Sequence, residues 1–405
     1  MRKIILVFLI SLIFLSCKKN IEFQKTLSYN VEDFRKPGMD DYQTLRAVYD
    51  SVPNESQIIF GNGTYTFSHS ICLYKTLHFL GNNTVLKRED QITYTLKEPT
   101  DKFSNLLILD KTEGIMPGDV LFIAFDQSCL TTTSTNRVSS ISGDSIYMVY
   151  PIGNTINNIG NFPIGTKVFK SINFFGIAGN IYCSFDNLIF DGNRDNNQGS
   201  YSWLYNSAIL APIEGTTFYR NCKFINSPAE TIVGHNADIL NCTFYDLNGS
   251  AFHTTADKAV ESEGQIHSYL FDNTFDNTNQ VPTEIGGHSE GAITHSNSGG
   301  YYTASNNTFH NVNGPVLAGL YPSVSIHDWG TSNITFTENK IDGATRIVRF
   351  VSMQPGIIHD VKIEDNIITN MPSFSWAPEL NYFPGIILVD TTQIDTKWIT
   401  TIQKE

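Results

Sequence analysis

A short phrase of alternating polar and apolar residues recurs seven times between Asn187 and Asn370. Its fourth position is always Phe or Ile, at Phe190, Phe224, Phe244, Phe275, Phe309, Ile341 and Ile368. Each copy closes on Asn, Asp or Gly, residues that tolerate left-handed backbone angles. An apolar residue between polar neighbours, closed in this way, predicts a short strand followed by a sharp turn.

The copies follow one another at intervals of 20 to 34 residues, the length of one supersecondary unit. A lone strand cannot bury its apolar face, whereas stacked coils place the Phe or Ile of one copy on that of the next. An antiparallel sandwich is the alternative, but its strands return about every 8–12 residues. The spacing therefore favours an all-β solenoid in which loops at one corner absorb the differences in length.

A second series of strands supports this architecture. A small residue leads into an apolar stretch in Ser207–Leu210, Ser250–His253, Gly291–Thr294, Gly314–Leu317 and Gly343–Arg346. Each coil thus holds at least two strands separated by a tight bend, as in a parallel β-helix. Cys222 and Cys242 lie two residues before the inward aromatic of consecutive copies, so we expect their side chains to stack inside the coil. Buried thiols suit the strand spacing, and a disulfide is the alternative.

The segment before the repeats has its own pattern. Residues 40–106 are predicted to form an N-terminal cap and the first coils. In Asp41–Tyr49 the apolar residues share one helical face, with Asp40 or Asp41 as N-cap, so a short helix is expected to cover the open first coil. Two strand patterns follow, in Gln57–Phe67 and Leu77–Leu86.

With this helix, the Gly63-Thr64-Tyr65 turn and the return at Gly81, the chain resembles the pectate-lyase-like superfamily of right-handed parallel β-helix proteins. The resemblance covers roughly residues 40 to 395 and implies the fold more than an activity. Polygalacturonase-like hydrolases carry Asp-Asp, Gly-His-Gly and Arg-Ile-Lys, of which Gly234-His235-Asn236 is only a fragment. The acidic calcium cluster and Arg-Pro motif of pectate lyases are also missing, so no functional residue of either family is carried over.

The rest of the chain divides by composition. Residues 1–17 form a signal peptide: Arg2 and Lys3, an apolar run from Ile4 to Leu15, and a lipobox-like Ser16-Cys17. Cys17 is the expected lipidation site, and ordinary secretion is the alternative. Residues 18–39 form a tether, 107–170 a small β insertion, 171–395 the main β-helix, and 396–405 a C-terminal tail.

The charge and the leader limit the partners and the location. The formal net charge of −13 disfavours nucleic acid as a partner. Abundant Asn, Thr, Ser, Gly and aromatic residues fit a long polar sheet that handles neutral or uronic sugars. We therefore expect a monomer that acts on a polysaccharide in the bacterial cell envelope. It would be lipid-anchored in the periplasm or on the outer surface, or else secreted.

Seven of the ten histidines lie between the second and sixth copies of the phrase, where equal positions of successive coils form one stripe. The aligned segments predict that His253, Thr294 or His295, and Arg346 share a row, with Arg349 three residues on. A Gly-rich stretch, residues 286–302, adds His288, Glu290, Tyr301 and Tyr302. We expect catalytic roles among His253, His295, Tyr301, Tyr302, Arg346, Arg349 and Glu290, and substrate contacts at His235, His288, Trp203 and Trp329.

Three functions fit these residues. A polysaccharide lyase would use His253 or His295 as base, Tyr301 or Tyr302 as acid, and Arg346 or Arg349 to neutralise a uronate carboxylate. A glycoside hydrolase would use two carboxylates, Glu230 with Asp257 or Glu290. A non-catalytic adhesive protein would use aromatic platforms, namely Trp203, Tyr205, Tyr301, Tyr302 and Trp329.

A metal is less strongly indicated. His288, Glu290 and His295 do not have the spacing of a helical zinc motif. A calcium ion held by Asp, Glu and Asn oxygens fits the composition better, but the sequence gives it no position.

Overall fold

A parallel β-helix with three faces makes up most of the chain. The computed structural model describes residues 27–101, 103–124, 133–152, 161–197, 209–254, 267–278, 293–296, 301–313, 315–320, 332–344, 346–350, 359–370, 388–389 and 399–404. Strands of successive coils pair in parallel and in register, and each level of the stack is called a rung below. The right-handed parallel β-helix predicted from the sequence is thereby confirmed.

The strands form three stacks, and six long strands bend from one stack into the next. The first sheet contains Ile71–Leu73, Phe175–Ile177, the starts of Ile209–Arg220 and Ile232–Leu240, Phe252–Thr254, Ile293–Ser296, Pro315–Leu320, Arg346–Phe350 and Leu388–Val389. The second contains Ser28–Asn30, Ser56–Ile59, the starts of Leu77–Arg88, Tyr182–Asp191, His359–Thr369 and Ile399–Lys404, the ends of Ile209–Arg220 and Ile232–Leu240, His267–Phe271, Tyr301–Ser305 and Ser332–Thr337. The third contains Gly63–Phe67, the ends of Leu77–Arg88, Tyr182–Asp191, His359–Thr369 and Ile399–Lys404, and Lys223–Ile225, Thr243–Tyr245, Thr274–Asp276, Thr308–His310 and Lys340–Asp342.

A single left-handed residue makes the bend between the second and third sheets. It is the first residue of each of the seven phrases, with φ between 52° and 58°: Asn187, Asn221, Asn241, Asp272, Asn306, Glu338 and Asp365. Asn and Asp accept this backbone region at low cost, which explains why they recur at this position. The phrase is therefore a bend followed by one strand of the third sheet.

The fourth position of the phrase forms the core of the third sheet. The rings of Phe190, Phe224, Phe244, Phe275 and Phe309 stack face to face, with centroids 4.6 to 4.9 Å apart. Ile341 and Ile368 continue the row. Because the strand spacing of about 4.8 Å matches the separation of stacked rings, one Phe on each rung fills the interior without gaps.

The second position of the phrase forms another interior row. In the first three copies it holds Leu188, Cys222 and Cys242, all buried. Cys222 and Cys242 are free thiols, and burial raises the pKa of Cys222 well above its ordinary value. The expectation of inward-facing, buried thiols is confirmed.

The next four copies continue this row with an asparagine ladder, namely Asn273, Asn307, Asn339 and Asn366, each at most 1% exposed. Each amide nitrogen donates to the amide oxygen of the following residue at 3.0 Å, in the pairs Asn273–Asn307, Asn307–Asn339 and Asn339–Asn366. Each ladder nitrogen also donates to a backbone carbonyl, as Asn307 does to Leu270 at 3.0 Å. The ladder satisfies polar groups that would otherwise be costly to bury.

The first coil is covered by an α-helix, Asp41–Ser51, and by a 3-10 helix, Val31–Phe34. Asp40 is the N-cap of the α-helix and forms a capping box with Gln43. Leu45 and Val48 pack into the interior of the first coil. The predicted capping helix is confirmed, and Asp40 is the cap.

A six-stranded antiparallel sheet interrupts the coil. Its strands are Thr93–Thr95, Leu106–Ile108, Val120–Ala124, Thr133–Ser142, Ser145–Met148 and Lys167–Ser171. The sheet begins before residue 107, because Thr93–Thr95 pairs with Lys167–Phe169 where the chain leaves and re-enters the helix. At this junction Lys170 bonds to Glu89 at 2.9 Å, and buried Arg88 donates to the carbonyl of Ile172 at 2.9 Å.

The parallel stack continues to Ile399–Lys404, which pairs with His359–Thr369. The segment predicted as a C-terminal tail, residues 396–405, therefore contributes a strand to two sheets. A second 3-10 helix spans Arg194–Asn196. In the described part of the chain no helix is long and apolar enough to cross a membrane.

Candidate functional site

The predicted histidine row lies on the first sheet. His253 pairs with Thr294, Thr294 with Ala318, and Ala318 with Arg349. His253 and Arg349 therefore occupy the same register position three rungs apart, about 14 Å at the strand spacing of a sheet. Arg346 pairs with Pro315 and lies outside this row.

His253 has a carboxylate neighbour. Its Nδ1 lies 3.7 Å from Oε2 of Glu230, and both residues are buried, with 3% and 2% of their surfaces exposed. A carboxylate at this distance limits the orientations of the imidazole ring. The pair brings together a predicted base and a predicted carboxylate on neighbouring rungs.

Close packing of two turns brings these residues together. Glu230 precedes strand Ile232–Leu240, and Gly249 lies in the equivalent turn one rung later. A Cβ on Gly249 would lie 2.8 Å from the backbone nitrogen of Glu230, so this contact requires glycine. Hydrogen bonds from Asn248 to Ser227 and from Thr231 to Ser250 hold the turns in register.

The remaining predicted residues are dispersed. His295 pairs with Thr254 and Gly319, one position beyond the His253 row. Tyr301 pairs with His267 at the start of a second-sheet strand, and His235 lies in strand Ile232–Leu240 between its first-sheet and second-sheet parts. Predicted residues outside the described part of the chain are Cys17, Trp203, Tyr205, Asp257, His288, Glu290 and Trp329.

Tyr302 lies in the interior of the coil. It is 1% exposed, and its ring is nearly parallel to that of Phe252, with centroids 6.2 Å apart. Burial raises its pKa well above the ordinary value. The role of an acid that contacts a polysaccharide outside the coil does not fit Tyr302, because strand alternation turns its side chain inward.

The exterior of the second sheet carries a row that the sequence analysis did not select. The row comprises the paired residues Ser184, Phe218, Asp238, Tyr269, Thr303, Thr335 and Lys362, and we call it the Asp238 row. Two residues further along the strands, Phe271 lies beside Leu240 and Ser305. Tyr269 and Phe271 are 42% and 44% exposed, so the surface presents large rings to solvent.

Asp238 lies between two aromatic residues of this row. Phe218 precedes it by one rung and Tyr269 follows it by one rung, while Ala237 and Ile239 on either side are buried in the core. Burial raises the pKa of Asp238 to about 6. The carboxyl group therefore exchanges its proton close to neutral pH, unlike an ordinary aspartate.

His267 adds an imidazole to the same surface. Its ring stacks on Tyr269, with centroids 3.5 Å apart, and its Nε2 hydrogen-bonds Oγ1 of Thr303 at 3.1 Å. Burial lowers its pKa below the ordinary value, so the ring is neutral at neutral pH. Aromatic rings, an imidazole and a titrating carboxyl thus lie on adjacent rungs.

The alignment of the phrases contains a signal for this row. Each of its members lies three residues before the left-handed residue of its rung, as Asp238 precedes Asn241 and Tyr269 precedes Asp272. Aligning the sequence on the left-handed residue of each phrase, and taking the residue three positions before it, therefore identifies the members of the Asp238 row. The predicted site residues were instead chosen from the clustered histidines, and the resulting row lies on the first sheet.

Replacing Asp238 by asparagine is expected to stabilise the fold at pH 8 and to have little effect at pH 4. The folded pKa of about 6 lies above the unfolded value of about 3.9, so rising pH ionises Asp238 more easily in the unfolded chain and destabilises the fold. The gain in the free energy of unfolding at pH 8 should be about 3 kcal/mol. Urea denaturation at both pH values measures it, and an equal gain at both would contradict the assignment.

No metal site is evident in the residues described. Among them, no group of three or more histidine, cysteine or carboxylate side chains is arranged to hold an ion. The calcium ion suggested by composition stays a prediction.

Known proteins resemble the chain in fold. No protein-family model matches the sequence, and no curated protein matches it. Among solved structures, the chain is similar to a tailspike of Acinetobacter baumannii bacteriophage AP22 in complex with capsular saccharide, at 12% identity over 93% of this chain and 77% of that one, with a TM-score of 0.23. It is also similar to a Family 28 exopolygalacturonase of Yersinia enterocolitica, at 11% identity over 94% and 78%, with a TM-score of 0.39.

A third similar structure is PfbA, a surface adhesin of Streptococcus pneumoniae, at 11% identity over 93% of this chain and 91% of that one, with a TM-score of 0.33. The chain is a parallel β-helix protein. At such identities the likeness concerns the fold, and function is argued below from the residues of this chain.

Proposed function

We propose that the protein is a carbohydrate-active protein that binds a polysaccharide along the exterior of its second sheet. The observation that carries this proposal is the pair of exposed rings, Tyr269 and Phe271, beside the half-buried polar groups of Asp238 and His267. Sugar rings offer apolar faces for stacking and hydroxyl groups for hydrogen bonding, so they need this combination of groups.

The periodicity of the surface also supports a linear ligand. A polymer that runs across the strands meets a new rung about every 4.8 Å, which is close to the length of one sugar unit. Polar and aromatic side chains alternate from Ser184 to Thr303 along the Asp238 row, so several successive units can be contacted. In the same proposal the chain is held at the bacterial cell envelope through Cys17.

For the chemistry we propose β-elimination at uronic acid units where the polymer extends from the second sheet onto the first, with the first-sheet residue His253 as the base. Glu230, 3.7 Å from the imidazole, supports this role because it would stabilise the ring after proton uptake. Tyr301, opposite His267 at the start of the second sheet, is the candidate acid. Arg349 lies three rungs from His253 and would contact a different sugar unit.

Hydrolysis is supported less well. Of the carboxylates that the sequence suggested, Glu230 lies beside the imidazole of His253, while Asp257 and Glu290 lie outside the described residues. A pair of carboxylates on either side of a glycosidic bond would need a second group near it. Binding without turnover would use the same rings on the second sheet.

A panel of polysaccharides tests the proposed function. The chain lacking residues 1–17 is incubated with polygalacturonate, alginate, hyaluronate, xylan and dextran, while ultraviolet absorbance of unsaturated uronate and reducing ends are followed. Both signals should rise with at least one uronate polymer. Reducing ends alone would replace the lyase proposal by hydrolysis, and binding without either signal would replace it by adhesion. Absence of binding to every polymer would contradict the carbohydrate proposal.

Tyr269→Ala is expected to weaken binding of the best polymer about tenfold, because an interface aromatic contributes one or more kcal/mol through stacking. Tyr245→Ala is the matched control, since Tyr245 is 47% exposed but lies on the third sheet. Affinity electrophoresis or calorimetry measures both. Equal effects of the two substitutions would mean that the second sheet is not the binding face.

A further inference from the structure

Asp238 is the acidic group at the centre of the surface assigned to the polysaccharide. Its neighbours within the row are aromatic, and His267 lies diagonally across the next rung. A sugar unit stacked on Tyr269 would bring its substituents close to the Asp238 carboxyl group. If every unit is a uronate, a carboxylate comes close to Asp238 in any register of the polymer.

The charged groups described around Asp238 do not offset the repulsion between its carboxylate and that of a uronate. Arg220, on the preceding strand, donates to Asp186 from its Nε at 2.8 Å. Tyr182, two rungs before Asp238, is neutral, because burial raises its pKa to about 12. Among the residues described, no salt bridge involves Asp238, and Lys362 lies at the far end of the row beside Glu364.

Two carboxylates in a partly desolvated site cannot both be ionised at low cost. One of them must hold a proton, and the uronate, which remains more exposed, is the stronger acid. Binding of a uronate at the Asp238 row therefore requires Asp238 to be protonated.

On the basis of the proposed function, we infer that Asp238 makes the glycan-binding face charge-selective. The face binds acidic polysaccharide only when the carboxyl group of Asp238 is protonated. A neutral sugar is bound in either protonation state, because an ionised carboxylate accepts sugar hydroxyls and a neutral one still bonds to them. Acidic chains are thus bound at mildly acidic pH and released as the pH rises.

The pKa of Asp238, which burial raises to about 6, sets the size of the effect. If only the protonated form binds, the affinity for an acidic oligosaccharide falls about 30-fold between pH 5 and pH 7.5. The complex should take up close to one proton at pH 7.

Isothermal titration calorimetry with a galacturonate trisaccharide tests the inference at pH 5 and 7.5, with a neutral galactose trisaccharide as the control ligand. The wild type should show the 30-fold fall for the acidic sugar and less than a threefold change for the neutral one. Asp238→Asn should bind the acidic sugar at pH 7.5 about as tightly as the wild type does at pH 5. Because this is a gain of affinity, misfolding cannot produce it.

Asp195→Asn, with the same charge change at a side chain that is 90% exposed, should keep the wild-type fall. A fall that persists in Asp238→Asn would assign the proton to another group, such as His267, and would overturn the inference. Equal affinity of the wild type at both pH values would also overturn it. Absence of binding by both sugars at both pH values would overturn the proposed function instead, together with the inference that rests on it.

Discussion

Replacing Asn307 by leucine is expected to lower the free energy of unfolding by about 4 kcal/mol. The Oδ1 atom of Asn307 accepts hydrogen bonds from the backbone nitrogen and the side-chain nitrogen of Asn273, both at 3.0 Å. Its Nδ2 donates to Leu270 and Asn339. Leucine leaves these four buried partners without the bond, and each such loss costs about 1 kcal/mol or more.

Steric effects alone would not produce this loss. Leu188 occupies the same interior row, so the row accepts a leucine of similar volume. Asn236→Leu is the matched control, because Asn236 is half-buried on the exterior of the second sheet and its side chain donates to Thr216 at 3.0 Å. This control should change stability by less than about 1 kcal/mol.

Urea denaturation followed by far-ultraviolet circular dichroism measures the difference between the two variants. Hydrogen exchange should locate the weakening in the rungs beside Asn307, because a solenoid is stabilised by nearest-neighbour contacts. Equal stability of Asn307→Leu and the wild type would show that the ladder contributes nothing net to the fold.

The second large effect is expected at His253. His253→Gln should lower the rate of unsaturated product formation by about 10²- to 10⁴-fold, the usual contribution of a general base. Glutamine has a similar size and polarity, so the environment of Glu230 changes little. His310→Gln is the matched control, since His310 is an exposed histidine of the third sheet bonded to Asp276 at 2.8 Å. Its rate should equal that of the wild type, whereas more than half of the rate in His253→Gln would contradict the assignment of the base.

Much of the fold follows from the sequence because one local pattern, a left-handed bend followed by a buried residue, repeats. A left-handed residue, Asn or Asp in six of the seven phrases, marks each bend, and the Phe or Ile three residues later marks each position of the interior row. A local conformational preference and a burial preference point to the same architecture in each copy, so the repeats reinforce one another. The capping helix was predictable for the same reason, because Asp40 and the apolar face agree.

The asparagine ladder was harder to foresee. Alternation places the second position of the phrase inside the coil, and this was applied to Cys222 and Cys242. For Asn273 and Asn307 the polarity of the side chain argues against burial when each rung is considered alone. Burial becomes favourable only because each amide bonds the next, a property of the stack and not of the strand.

The site was predicted only in part. Aligning the strands correctly grouped His253 with Thr294, but it placed Arg346 in their row, where the strand pairing puts Arg349. The proximity of Glu230 depends on the tight contact at Gly249, which spacing does not reveal. Tyr302 was selected for its chemistry although alternation turns it inward. Asp238 looks like any exterior polar residue until burial and its aromatic neighbours on adjacent rungs are known.

Hydroxyl-radical footprinting tests the central claim, binding of a polysaccharide to the exterior of the second sheet, most directly. Oxidation of exposed rings is measured by mass spectrometry with and without the best-bound member of the panel. Tyr269 and Phe271 should be protected by the polymer, while Tyr245, which is similarly exposed on the third sheet, should be oxidised equally in both samples. Unchanged oxidation of Tyr269 and Phe271 under saturating polymer, or equal protection of Tyr245, would contradict the account.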